Sequence, residues 1–224
     1  MVIPIPQVLD AQQLGSIRSI LAESRFVDGR LSAGLSARKV KNNEEVPQDS
    51  TAIQKLNQLV MNQLYNHPVF QAAVMPLKLA TPFYARYRGG KYYGHHVDDP
   101  IMGPPGAHYR TDVSITIFLN QPDDYEGGDL VIQTPFGEQK TKLAAGSAIT
   151  YPSGSLHRVA EVTGGERLVA VSWCQSMVRS AEQREILFNL YQSREALMKQ
   201  SPDDENTLRI DHTYINLFRM WADV

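Results

Sequence analysis

The stretch Thr111 to Asn120 limits what this chain can fold into more than any other. Val113, Ile115, Ile117 and Leu119 alternate there with Ser114, Thr116 and Phe118, and a period of two is that of a β-strand. The same period runs through Leu79, Thr81, Phe83, Ala85 and Tyr87, before Arg88-Gly89-Gly90-Lys91 turns the chain into a strand that carries His96. Further strands are predicted over Asp129 to Gln133, from the Pro135-Phe136-Gly137 turn through Leu143, and over Gly146 to Pro152. His157 follows, and a last apolar strand, Leu168 to Trp173, comes after a Gly164-Gly165 turn. About eight short strands at regular spacing predict an antiparallel sandwich or barrel, since closure removes exposed edges.

On either side of this region the period is helical. Asp10 can cap a helix over roughly Ala11 to Ser24, with Leu14, Ile17, Ile20 and Leu21 as its apolar stripe. Ser50 or Asp49 caps a second helix, with Ile53, Leu56, Val60 and Leu64 inward, and His67-Pro68 ends it. Val27 to Asn43 reads as irregular or strand-like. After Trp173, Ser180-Ala181-Glu182-Gln183 is a capping-box sequence for a third helix, and Leu208 to Trp221 is a final amphipathic segment. The expected organisation is a helical segment over 1–77 that buttresses the sheet, a β core over 78–177 and a helical extension over 178–224. Whether the last two helices pack only on the sheet or also join two copies in a homo-oligomer stays open.

The chemistry sits in the strand before Pro100. His96 and Asp98 are two residues apart and share a face in extended chain, while His95 and Asp99 face the other way. His157 lies on a late strand, and Arg167 heads the final one, on the same face as Val169, Val171 and Trp173. Two imidazoles and one carboxylate hold one face of an octahedral Fe(II) and leave three positions for substrate atoms and O₂. Fe(II) with one carboxylate keeps one positive charge. A dianionic 2-oxo acid reverses it, and Arg167 restores neutrality in a dry pocket. Its planar fork suits a carboxylate. The Pro/Gly-rich loop from Pro100 to Gly106 is where a lid would sit. Trp173 reads as a pocket wall, and Tyr93 reads equally as a core aromatic or a site residue.

These residues carry a resemblance. Tyr87 to Asp98, Asp112 to Asn120, Gly127-Gly128-Asp129-Leu130, His157 and Arg167 are similar to prolyl-4-hydroxylase-type Fe(II)/2-oxoglutarate oxygenases. With Val27-Asp28-Gly29-Arg30, the chain resembles more nearly the bacterial PKHD-type hydroxylases. The resemblance implies a double-stranded β-helix (jelly-roll) with Fe(II) on His96, Asp98 and His157. It also implies 2-oxoglutarate on Arg167 with Tyr87 beside it, Tyr93 near the substrate, and dependence on L-ascorbate. Phe118 departs from the pattern, because some relatives place a carboxylate-binding tyrosine there; Tyr87 or Thr116 would have to compensate.

Composition bounds the partners. A net charge of −2 gives no field for nucleic acid, and no stretch is apolar enough for a membrane span. Cys174 is the only cysteine, which excludes an internal disulfide and fits the cytoplasm. The expectation is therefore a cytoplasmic dioxygenase that hydroxylates an unidentified organic substrate, either a peptidyl proline or a small molecule such as a free amino acid or a siderophore-like compound linked to iron uptake. Its rivals are a cupin-type metalloenzyme that does not use 2-oxoglutarate, which Arg167 argues against, and a non-catalytic sensor, which the intact triad argues against.

Overall fold

Helix ends are set locally, as their capping residues require. The structure is a computed structural model and describes residues 1–224. In α1, Ala11–Glu23, the Asp10 carboxylate accepts from the Gln13 amide (2.8 Å) while the Gln13 side chain accepts from the Asp10 amide (2.9 Å). Two orphan donors are thereby satisfied. Ser50 caps α2, Thr51–Asn66. His67 does end α2, but Pro68 then starts a further helix, α3, Pro68–Val74. A proline at the first helical position loses no hydrogen bond, so the expected stop is also a start.

Eight strands make the core, in two antiparallel sheets of four. One orders Ala148–Pro152, Val113–Phe118, Val162–Ser176 and Phe83–Arg88; the other orders Gly137–Thr141, Leu130–Thr134, His157–Val159 and Tyr92–His96. This is the expected jelly-roll. The N-terminal segment extends both sheets: Glu44–Glu45 adds to Phe83–Arg88, and Lys41–Asn42 adds to Tyr92–His96. Inside, Ala85, Phe118, Ile149 and Val169 of the first sheet meet Leu130, Ile132 and Val159 of the second.

The strand Val113–Phe118 shows how the layers are divided. Its aliphatic face, with Leu119, packs outward on Ile17 and Leu21 of α1, Leu56, Val60 and Leu64 of α2 and Phe70 of α3. Each such side chain contributes about 1.5–3 kcal/mol by leaving water. Its other face, Ser114, Thr116 and Phe118, looks into the barrel. Two strand expectations are corrected. The run from Leu79 to Tyr87 is two strands, Pro76–Leu79 and Phe83–Arg88, which pair with successive parts of one partner. That partner, Val162–Ser176, runs unbroken through Gly164-Gly165, so no turn lies there. Gly165 has φ +70°, and a Cβ on it would lie 2.2 Å from the Asp124 carbonyl oxygen. The glycine pair permits the close approach of Tyr125–Gly127, which pairs at this point.

Ser180 caps α4, Ala181–Gln200, and Asp204 caps α5, Glu205–Trp221. Neither helix rests mainly on the sheet. Phe188 of α4 packs on Ala72 and Ala73 of α3. α5 packs on α4 through Tyr191 and Tyr214 and an Arg194–Asp211 ion pair of 2.5 Å. No helix is long and apolar enough to cross a membrane.

Candidate metal centre and oxoacid pocket

His96 and His157 are register partners on adjacent antiparallel strands. Residues 61 apart in sequence thus become neighbours, with ring centroids 4.2 Å apart. Asp98, just past the end of its strand, reaches both: Oδ1 is 3.8 Å from His96 Nε2, and Oδ2 is 3.9 Å from His157 Nε2. Each imidazole is oriented from behind. Nδ1 of His96 lies 2.8 Å from the Gly94 carbonyl and Nδ1 of His157 2.9 Å from that of Ser155. With Nδ1–H donated to a carbonyl, the Nε2 lone pair faces Asp98. Burial and the neighbouring His157 pull the His96 pKa down to about 4, so His96 is neutral at pH 7. Asp98 Oδ2 accepts from Ser114 Oγ at 2.5 Å, and the Ser114 and Ser153 hydroxyls are 2.8 Å apart.

One ligand atom from each of His96, Asp98 and His157 lies within 4.8 Å of the others. Metal–ligand bonds of about 2.0–2.2 Å would bring all three onto one ion. Two neutral nitrogens and one carboxylate oxygen on one side of a cavity are a donor set that suits Fe(II) with open positions. Aromatic rings confine it: Tyr93 stacks on His96 at 3.6 Å with 12° between planes, and Tyr151 meets His157 edge-on at 5.0 Å. His95 is exposed, as alternation requires.

Arg167 opens onto the same cavity, which has a volume of about 490 Å³. It is 1 % exposed, yet Nε and Nη1 of its guanidinium have no hydrogen-bond partner. Its neighbours are π faces: its Cζ is 5.0 Å from the Tyr87 ring centroid and 5.8 Å from that of Phe118. A buried cation without a counter-ion costs several kcal/mol. A carboxylate ligand would supply what no side chain here does. The Tyr87 hydroxyl accepts from Asn43 Nδ2 at 3.0 Å, which leaves its own hydrogen to donate. Burial pushes its pKa up to about 12, so that hydrogen stays in place. The residues thus fit both an iron ion and an oxoacid.

Tyr87, Tyr93, Thr116 and Trp173 line this cavity. The loop after Pro100 contributes Met102 and Gly103 to its wall, and Ile101–Met102 pairs with Tyr109–Arg110 as a small flap. Asp99, expected to face away from Asp98, also lines the cavity. Sequence reasoning missed Tyr151, although alternation with the inward Ile149 would have placed it. It also missed Ser32, Lys41 and Glu45, which line the opposite side; an irregular segment has no period from which to read their direction.

The family model of the 2OG-Fe(II) oxygenase superfamily matches residues 82–175, and that of the PKHD-type hydroxylase C-terminal domain matches residues 182–223. A PKHD-type hydroxylase of Thioalkalivibrio sulfidiphilus is 58% identical over 224 residues, with both chains covered completely. Another, from Azoarcus sp., is 42% identical over 229 residues, again with full coverage of both. Among solved structures, a Trichoplax adhaerens prolyl hydroxylase in complex with a hypoxia inducible factor peptide fragment aligns with TM-score 0.56 and 18% identity. That alignment covers 83% of this chain and 86% of the other. HygX of Streptomyces hygroscopicus, with nickel, 2-oxoglutarate and hygromycin B bound, aligns with TM-score 0.52 and 15% identity, covering 79% and 84%. At these identities the structural likeness concerns the fold.

Proposed function

This chain belongs to the PKHD-type hydroxylases of the 2OG-Fe(II) oxygenase superfamily, and from that premise we propose that it hydroxylates a C–H bond of an organic substrate, converting 2-oxoglutarate and O₂ to succinate and CO₂. The observation that carries the reading is Arg167, a buried guanidinium with unpartnered nitrogens in the cavity that holds the two imidazoles and Asp98. A cupin-type enzyme without an oxoacid would have no use for it.

In this reading His96, Asp98 and His157 hold Fe(II), and Arg167 pairs with the far carboxylate of 2-oxoglutarate, with Tyr87 donating a hydrogen bond beside it. When bound, iron and oxoacid supply O₂ activation and the oxidising power. The chain's own residues orient them. The Gly94 and Ser155 carbonyls hold both imidazoles, Ser114 holds Asp98, and Tyr93 and Tyr151 keep water from the ligand atoms. Tyr93 also lies where the organic substrate would approach. L-ascorbate would sustain turnover by re-reducing iron. The single buried Cys174 supports a reducing, cytoplasmic setting. Exposed Leu208, Ile215 and Met220 on α5 support self-association through the C-terminal helices.

The fold does not choose the substrate, for its neighbours were solved with a peptide in one case and with hygromycin B in another. The test therefore avoids the substrate. Protein purified anaerobically with Fe(II), then given 2-oxoglutarate and O₂, should release succinate slowly, and faster with ascorbate. The Asp98→Ala variant should release none. Succinate at background from iron-loaded wild type would overturn the proposal.

A further inference from the structure

Beyond the triad and Arg167, the cavity has a second polar feature. Lys41 Nζ lies 2.6 Å from Glu45 Oε1, and both side chains are 8 % exposed. Ser32 Oγ donates to Glu45 Oε2 at 2.6 Å, and Lys41 Nζ donates to Ser32 Oγ at 2.9 Å. All three come from the N-terminal segment and line the cavity, while Phe83, Met102 and Trp173 line it with apolar surface. Lys41 also lies over Tyr93, 5.4 Å from the ring centroid, and Tyr93 stacks on His96. The pair therefore stands one aromatic ring from the proposed metal.

Stability alone does not account for this ion pair. Apolar side chains of the same size often hold a buried position as well or better, because taking two charges out of water is costly. Nor does it offer a net charge to a ligand of one sign, since the two members cancel. A closed pair in a cavity wall is a fixed dipole, and it complements a group that carries both signs at short separation. Resting on the function proposed above, we propose that Ser32, Lys41 and Glu45 form the subsite for the organic substrate's zwitterionic head. The substrate is then a free α-amino acid: its ammonium meets Glu45, its carboxylate meets Lys41, and its aliphatic side chain lies along Phe83 and Trp173. A total cavity of about 490 Å³ is on the small-ligand scale.

The pair also bridges the two sheets, since Lys41 belongs to one and Glu45 to the other, so a purely structural clasp is the competing account. Exposed Leu31 and Leu35 beside Ser32 would instead suit a polypeptide substrate. Calorimetry on the full-length Fe(II)- and 2-oxoglutarate-loaded protein under argon separates these, with L-proline, L-leucine and L-lysine and their N-acetyl amides as probes. At least one free amino acid should bind, and its N-acetyl amide should bind at least tenfold more weakly. Glu45→Gln and Lys41→Met should each weaken the free amino acid at least tenfold while 2-oxoglutarate affinity stays within twofold. Equal binding of free and blocked forms, or binding of none, would overturn the proposal, as would variants that lose only thermal stability. Loss of 2-oxoglutarate binding by wild type would instead count against the parent reading.

Discussion

The two faces of the Val113–Phe118 sheet are built to opposite rules. Outward, mostly aliphatic side chains from the sheet and α1 to α3 form a dry core of 21 buried residues, in which the Tyr84 hydroxyl donates to Asn57 Oδ1. Inward, the same strands present Ser114, Thr116, Tyr151 and Arg167, and two of the Arg167 nitrogens are left without a partner. The first face supplies stability, and the second spends some of it to hold groups ready for a ligand. Activity and stability should therefore separate cleanly by face.

The largest effect is expected at the ligand atoms. Asp98→Ala should abolish succinate formation, and metal titration should show loss of stoichiometric Fe(II), while the metal-free protein melts at nearly the wild-type temperature. A large fall in melting temperature would mean that the inward face carries the fold after all.

On the outward face, Ile115→Ala should cost about 2–5 kcal/mol in urea unfolding, as expected for a buried aliphatic that leaves a cavity. Binding of 2-oxoglutarate by the protein that remains folded should not change. A weaker oxoacid affinity at full folding would show that the two faces are coupled.

Arg167 separates the faces most sharply. Arg167→Met should weaken 2-oxoglutarate by roughly 2–5 kcal/mol, since the ligand's carboxylate would be buried unpaired. Yet it should leave the ligand-free protein as stable or more so, because an uncompensated buried charge is gone. Arg167→Lys should recover only part of the affinity, as an ammonium cannot form the fork. A destabilised Arg167→Met protein would make Arg167 a structural residue. The smallest effect concerns Cys174, whose thiol burial pushes up to about 12. Below that pH it is a neutral thiol, so iodoacetamide should label it only at the rate of global unfolding; rapid labelling of native protein would show that the sheet opens locally.

Much of this was legible in the residues. Period-two alternation placed His96 with Asp98, turned His95 outward and put Arg167 inward with Val169. Capping chemistry located the helix starts at Asp10 and Ser180 and narrowed the second to Asp49 or Ser50. These are short-range properties: neighbouring side chains alone decide them, through backbone geometry or a hydrogen bond within one turn.

What the tertiary structure decided needed partners far away in the chain. The aliphatic face of Val113 to Leu119 looks like the inside of a barrel but lies outside it, because α1 to α3 cover that face. Gly164-Gly165 reads as a turn and is mid-strand, because Tyr125–Gly127 comes close enough to exclude a Cβ. Pro68 both stops one helix and starts the next. Lys41 and Glu45 reach the cavity only because their short strands join the edges of two different sheets, a long-range pairing that carries no local signature. The candidate ligand residues were readable in the sequence itself; the walls around them followed from how distant segments pack.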